Sequence, residues 1–351
     1  MEMKNTDSRL SAAAPSGQKR WVSWLTNFLL VALLYGAFAV PIANKSINRY
    51  YSGILIMICI NIILTVSLNL VSGFLGQLVL GHAGFMSVGA YTSALFAMNS
   101  GLPIGAAFPL GLVLGGLVAA LFGLVIGVPA LRLHGDYLAI ITLGFGEIIR
   151  VLILATPFTG GARGLTVKTR ISRQPSVYFT WAFFIAALTV FIVYAFIHSR
   201  HGRSVVAIRE DEIAAEAAGV NTTYYKLLTF ILSAFLAGVA GGLYANHVGA
   251  LTPVKFDFNY STELLVMVVL GGMASITGSI ISASVLTVLP ELLRDFSSYR
   301  MLVYSIILII VMLFKPSGLM GEREFSMKKL IGFLRAAGAK RRKPGGGKGG
   351  A

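Results

Sequence analysis

The sequence predicts an all-α, polytopic membrane protein of about ten transmembrane helices, some of them discontinuous. Three observations carry that prediction. Of 351 residues, 56% are hydrophobic and only 12% charged, with a mean hydropathy of +0.78, far from the composition of soluble domains. Apolar runs long enough to cross about 30 Å of hydrocarbon recur along the chain. Several of them are interrupted by glycine, as discontinuous helices are.

Residues 1–20 are polar and are expected to form a disordered cytoplasmic tail. Residues 21–42 follow Lys19 and Arg20, exceed a signal-peptide core in length and lack an A-x-A cleavage site, so they read as an uncleaved first span. Further apolar segments lie at roughly 50–73, 76–99, 103–131, 137–155, 178–198, 227–246, 261–273, 275–293 and 300–315. The membrane domain is thus expected over 21–315, followed by a basic cytoplasmic tail over 316–351.

The formal net charge of +15 invites a nucleic-acid reading, but 10 of the 29 Lys and Arg residues lie from Lys315 onward. A membrane protein keeps such a tail inside the cell, and no nucleic-acid partner is expected. With the N-terminus inside, the cytoplasmic segments 1–20, 131–136, 199–226, 273–275 and the tail hold 4, 1, 4, 0 and 10 basic residues. The opposite loops hold nine, four of which (Arg163, Lys168, Arg170 and Arg173) fall in 156–177 and run against the rule. The bias places both termini and residues 199–226 in the cytoplasm. The basic 163–173 loop, facing outward, offers a surface for acidic groups.

Residues 198–226 are the longest interior stretch rich in charge. A centrally placed ionic side chain costs about 2.5–3.5 kcal/mol in hydrocarbon even on insertion scales, so this stretch projects into water. It reads as two short helices. Residues 203–218 have helix-forming composition, Gly219 is placed as a C-cap, and Asn221-Thr222-Thr223 as the next N-cap. It is rich in Ala and carries Arg209, Glu210, Asp211, Glu212 and Glu216, a surface suited to being gripped by another protein.

Residues 69–91 carry Gly73, Gly76, Gly81, Gly84 and Gly89, with Gln77 and His82 among apolar neighbours. Broken backbone at membrane depth survives only inside protein or along a cavity. Gly76, Gln77, Gly81, His82, Gly84, Phe85 and Tyr91 are therefore candidates for a translocation path. The alternative is a close-packed seam in which Gln77 and His82 bond each other or the backbone. Glu147 lies about 16 Å along its span, near the midplane, with Arg150 at i,i+3. This pair reads equally as path or as structural ion pair. Glu263 and the turn Gly271-Gly272-Met273 form a second glycine-broken site. Small residues at helical spacing, Gly111 and Gly115, Gly123 and Gly127, Gly238 and Gly242, suit close helix approach, within one subunit or between two.

Catalytic motifs are lacking. There is no G-x-S-x-G and no Walker loop, and the five histidines show no metal-ligand spacing. Cys59 is the single cysteine, so no disulfide forms within the chain. The chain is not expected to be an enzyme or to bind a metal or cofactor; any ATP hydrolysis belongs to another chain.

The segments NLVSGFLGQLVLGHAGFMSVGAYTSAL, LRLHGDYLAIITLGFGEIIR, GRSVVAIREDEIAAEAAGVNTTYYKLLTFILSAFLAGVAGGLYA and ELLVMVVLGGMASITGS, in this order over roughly 50–320, resemble the M-type permease subunit of branched-chain amino acid ABC importers. The resemblance implies a second, H-type permease, two cytoplasmic ATPase subunits that hold ATP and Mg, and a periplasmic binding protein that delivers substrate. It also implies that residues 199–226 form the coupling loop seated on an ATPase, with Arg209, Glu210, Asp211, Glu212, Ala214, Ala215, Glu216 and Gly219 at the contact. Ala214, Ala215 and Gly219 keep the register of the general Glu-Ala-Ala, three residues, Gly pattern, but Ile213 stands where its Glu would be and the downstream Leu-Pro is absent. Leu, Ile and Val are the expected substrates, with urea or short amides as the alternative within the family. A self-sufficient secondary transporter or channel is the alternative outside it. Gly219→Pro, or charge reversal at Arg209 with Glu212, is expected to uncouple ATP hydrolysis from transport.

Overall fold

A computed structural model of the full chain describes residues 31–44, 46–133, 135–167, 174–294, 299–315 and 318–321. The two predicted tails therefore lie outside the described residues, apart from 318–321. Among the described residues the chain is helical, save for one two-residue ribbon. In chain order the helices are α1 (Val31–Ala43, the described part), α2 (Arg49–Asn69), α3 (His82–Asn99), α4 (Ile104–Ala130), α5 (Asp136–Ala155) and α6 (Pro175–Ile197). They continue with α7 (Arg200–Glu210), α8 (Glu212–Ala217), α9 (Thr222–Val248), α10 (Phe258–Gly271), α11 (Ile276–Leu292) and α12 (Arg300–Phe314). Helix α2 runs on into a π-turn, Leu70–Phe74. Among the described residues, five helical segments are long and apolar enough to cross a membrane: Arg49–Phe74, α4, α5, α6 and α9. Helices α10 and α11 are shorter apolar helices of 14 and 17 residues.

The centre of the bundle is built where glycine lets backbones meet. Helices α3, α4 and α9 pack on one another, and α2 is enclosed by α6, α9, α10 and α11. A Cβ at Gly241 would sit 2.0 Å from the Met86 carbonyl oxygen, and one at Gly89 would sit 2.1 Å from that of Gly238. Any side chain there forces α3 and α9 apart. Gly115, Gly123 and Gly127 of α4 and Gly238 and Gly242 of α9 likewise face partners within this chain. The small-residue rows are thus an internal seam, the first of the two readings above.

The ends of the bundle are also sorted. Leu165–Thr166 (β1) pairs antiparallel with Ala250–Leu251 (β2) at one end. At the other, the π-turn, α7, the α10–α11 turn and residues 318–321 adjoin. Leu319 and Met320 donate their amides to Leu270 and Gly271 carbonyls at 2.7 and 3.3 Å, satisfying two of the acceptors that end α10.

Several boundaries differ from the sequence reading. The third span, expected from residue 76, becomes helical only at His82, because residues 75–81 leave the helix at Gly76 (φ +76°). The polar stretch expected to run to Lys226 ends instead at Asn221. Its side chain caps α9 by accepting from Tyr224 N at 3.0 Å, and Lys226 is already buried within that helix. The helix expected over 203–218 starts at Arg200 and breaks at Asp211, whose carboxylate accepts from Ala214 N at 3.0 Å and so begins α8.

Candidate functional site

The first candidate stretch is one continuous structural feature: the end of α2, the π-turn, the non-helical 75–81 and α3. A π-turn is a wider, less favourable helix that occurs mostly in single turns. Here Leu75 N bonds Leu70 O at 3.3 Å and Gln77 N bonds Val71 O at 3.1 Å, loosening the helix stepwise until Gly76 turns away. The following segment is held by α5. Leu80 N donates to Thr142 Oγ1 at 3.1 Å, and a Cβ at Gly81 would meet the Thr142 carbonyl oxygen at 2.1 Å. Gly84 lies against Gly146 of α5.

The predicted path residues separate into four groups, the last being Gly271 and Gly272. Gly81, His82, Gly84, Phe85 and Tyr91 are buried among α2, α3, α5 and α9. His82 Nε2 lies 2.9 Å from Ser67 Oγ, and Ser67 donates onward to the Leu64 carbonyl at 2.9 Å. Phe85 meets Phe230 edge-on at 5.4 Å, and Tyr91 donates to the Leu251 carbonyl at 3.3 Å near the ribbon end. Gly76 and Gln77 are at the opposite end, in a cavity of about 330 Å³ lined also by Asp136, Arg209, Glu210 and Glu212. His82 and Gln77 have no bond to each other. The Gln77 Oε1 atom has no hydrogen-bond partner among the described residues.

Glu147 is the third group. Its carboxylate accepts from Arg150 Nε at 2.7 Å, with the two side chains 33% and 26% exposed. The pair lies in the middle of a helix whose outer face (Ile140, Ile148, Val151, Leu152) is bare. Gly271 and Gly272 are distant from it in role: Gly271 packs on Gly278 of α11, and Gly272 (φ +107°) makes the turn out of α10.

The polar stretch folds into an elbow held by caps and side-chain bonds. Ser199 caps α7 by accepting from Gly202 N at 3.3 Å. Lys226 Nζ donates to Glu212 at 2.5 Å, and Thr222 Oγ1 donates to Glu216 at 2.6 Å, so both carboxylates bind α8 to the foot of α9. Gly219 (φ +84°) turns between the two helices in a conformation only glycine adopts readily. Ala215 is buried beneath the elbow, while Ile213 is 82% exposed. Glu212 and Glu216 thus brace the elbow from within. Reversing Glu212 would set a like charge on buried Lys226, which makes that change a stability test and not the clean uncoupling test the sequence suggested. The sequence reading passed over Asn69 and Lys226. Asn69 is one of two amides in the apolar α2, and only its long-range partners reveal it.

Among the described residues, no three His, Cys, Asp or Glu side chains are grouped to hold a metal ion. Arg163 is exposed in the turn before β1, while Lys168, Arg170 and Arg173 lie outside the described residues.

A family model described as branched-chain amino acid transport system / permease component matches residues 50–313. The chain is 39% identical over 321 residues to the high-affinity branched-chain amino acid transport system permease protein LivM of Escherichia coli, covering 83% of this chain and 74% of that protein. With LivM of Salmonella typhimurium it shares 38% identity at the same coverage. The permease protein LivH of Escherichia coli is 36% identical over 140 residues, or 39% of this chain and 44% of LivH. No solved structure matches. The glycine-broken α2–α3 junction, the mid-span ion pair and the braced elbow all lie inside the matched region, and the chain belongs to the family of branched-chain amino acid transport permease components.

Proposed function

We propose that this chain is the M-type transmembrane permease of an ATP-driven importer for Leu, Ile and Val. A periplasmic binding protein hands over the substrate, a second H-type permease completes the path, and two cytoplasmic ATPase subunits hold the ATP and Mg. The observation that carries this reading is the elbow α7–α8. A loop that only joined two spans would have no need of two caps, two side-chain braces and an exposed isoleucine at its tip. A part built this stiffly is suited to seat on an ATPase and to pass its motion on. Because α8 is fixed to α9 and α7 packs on α6 and α9, closure of the ATPases tilts these helices together. The excess of basic residues in the segments on this side supports a cytoplasmic elbow in a bacterial inner membrane, with both termini inside.

The path itself is proposed to pass the α5 face that carries Glu147 and Arg150. An ionic pair at mid-span is stable facing water or protein and costly facing lipid, so that face is turned to the second permease and the solute route between them. The zwitterionic ends of an amino acid need polar groups at this depth, and α5 supplies them.

The test is ATP hydrolysis by the purified complex in liposomes, with and without binding protein loaded with leucine, other amino acids or urea. Stimulation by the leucine-loaded protein is expected. Stimulation by urea alone would keep the machine and change the substrate. Solute carried down its gradient by this chain alone, with no ATPase co-purifying, would overturn the reading in favour of a self-sufficient carrier or channel.

A further inference from the structure

Three parts of the chain that are far apart in sequence meet at the π-turn. From α7, Arg209 Nη1 donates to the Gly73 carbonyl at 3.4 Å. Its stem crosses Gly76, where a Cβ would lie 2.8 Å from Arg209 Cγ. Glu210 holds the guanidinium from outside, accepting from Nε at 3.1 Å. A cation over the carbonyl end of a helix is favourable on electrostatic grounds, since those carbonyls have no partner within the helix. Val206, one turn earlier in α7, packs against the cluster that contains Leu70, Phe74 and Ile276.

From the other side the π-turn reaches the α10–α11 turn through Asn69. Its Oδ1 accepts from Ala274 N at 3.0 Å, while Nδ2 donates to the Ser275 carbonyl at 3.0 Å and to Ser279 Oγ at 2.8 Å. Ala274 is the one non-glycine residue with positive φ (+62°) among the described residues, and Asn69 holds it there. Gly73 sits between the two contacts. A Cβ on it would fall 1.9 Å from Asn69 Oδ1 and 2.3 Å from Ala274 N. The elbow, the α2–α3 break and the α10–α11 break therefore share one joint.

We propose that Arg209 is the positioning residue through which the elbow moves both glycine-broken segments of the membrane domain at once, with Asn69 as the second half of the joint. This rests on the importer reading and adds to it: motion of the elbow reaches the interior through the π-turn as well as by tilting α6 and α9. Residues 75–81, whose amides carry only the two loosened helical bonds at Leu75 and Gln77, are the compliant element that such a pull rearranges.

The test uses the complete importer in liposomes and reads solute taken up per ATP hydrolysed. Arg209→Met, which keeps the stem and removes the donor, is expected to lower that ratio about three- to tenfold, and Arg209→Lys to recover part of it. The pair Gly76→Cys with Arg209→Cys provides a rescue. A Cβ at Gly76 lies 3.6 Å from Arg209 Cβ, inside the roughly 3.5–4.5 Å range of disulfides. The reduced pair is expected to be uncoupled like Arg209→Met, and oxidation to restore coupling by replacing the lost link. A wild-type ratio in Arg209→Met, or a loss of coupling on oxidation, would overturn the proposal. So would failure of the two cysteines to cross-link in the assembled complex. If the double variant does not assemble, Arg209→Met alone decides. If the unsubstituted complex shows no stimulated hydrolysis, the importer reading fails. The cross-link still reports in that case whether the two residues adjoin.

Discussion

Helices α9 and α5 are both apolar and of membrane length, yet 67% of the most apolar stretch of α9 is buried inside the chain against 28% of that of α5. Helix α9 places glycines wherever α3 or α4 crosses it, and its one basic residue near the start, Lys226, is neutralised by Glu212 at its own foot. Helix α5 touches α3 through Gly146 on one side and leaves a broad apolar face with an ion pair on the other. The difference separates two uses of the same composition. In α9 small residues bring backbones together, where dispersion contacts and not solvent exclusion hold helices in lipid. In α5 the outer face has no covering surface among the described residues.

The contrast is broken most severely at Gly241. Gly241→Leu is expected to cost more than the roughly 1–3 kcal/mol of ordinary overpacking, because the obstacle is the Met86 backbone and not a movable side chain. The fraction of monodisperse protein in detergent checks this; near-normal yield would mean that α3 and α9 are not in contact. Next comes Glu147→Gln, which leaves Arg150 without its partner at mid-span. A loss of up to about 2.5–3.5 kcal/mol is expected, reduced to the extent that water reaches the pair. Glu147→Gln with Arg150→Gln is expected to regain most of the thermal stability of the single variant. A double variant no better than the single would show that mutual neutralisation is not what keeps the pair there.

Glu212→Gln carries a smaller effect. Breaking a fully buried pair costs about 3–5 kcal/mol, but Glu212 is 32% exposed, so about 1–3 kcal/mol is expected. The loss should appear as earlier proteolysis at the elbow than within the spans. Gly144→Ala should have the least effect on the chain alone. Nothing lies within 4 Å of a Cβ there, so helix propensity predicts a gain of about 0.5–1 kcal/mol. A loss of assembly with the second permease in the same variant would sharpen the comparison, since it would mean that the bare face of α5 is covered in the complex.

Much of this was legible in the residues. The helical class, the interruption near Gly76, the shortness of the helix before Gly272 and the Asn221 cap all follow from local chemistry, because hydropathy and backbone freedom act over a few neighbouring residues. The break at Asp211 was missed because helix-forming composition on both sides masks a single capping aspartate. That the helix capped by Asn221 runs unbroken through Lys226 into the span expected from 227 was missed, because lysine reads as solvated until a carboxylate is found beside it. His82 and Gln77 stand five residues apart in sequence yet face different surroundings, one inside the α2–α3 packing and one in the cavity beneath the elbow.

The sequence by itself determined that this chain is a bundle of membrane helices with a polar loop of two short helices, since composition and spacing decide what can enter lipid and what cannot. Only the tertiary structure decided that the glycine rows close on partners within the chain, and that Arg209, Gly73, Asn69 and Ala274 form one joint. Those contacts span from 136 residues (Arg209 to Gly73) to 205 residues (Asn69 to Ala274). Close approach over such separations depends on how helices cross in space, which no local pattern encodes.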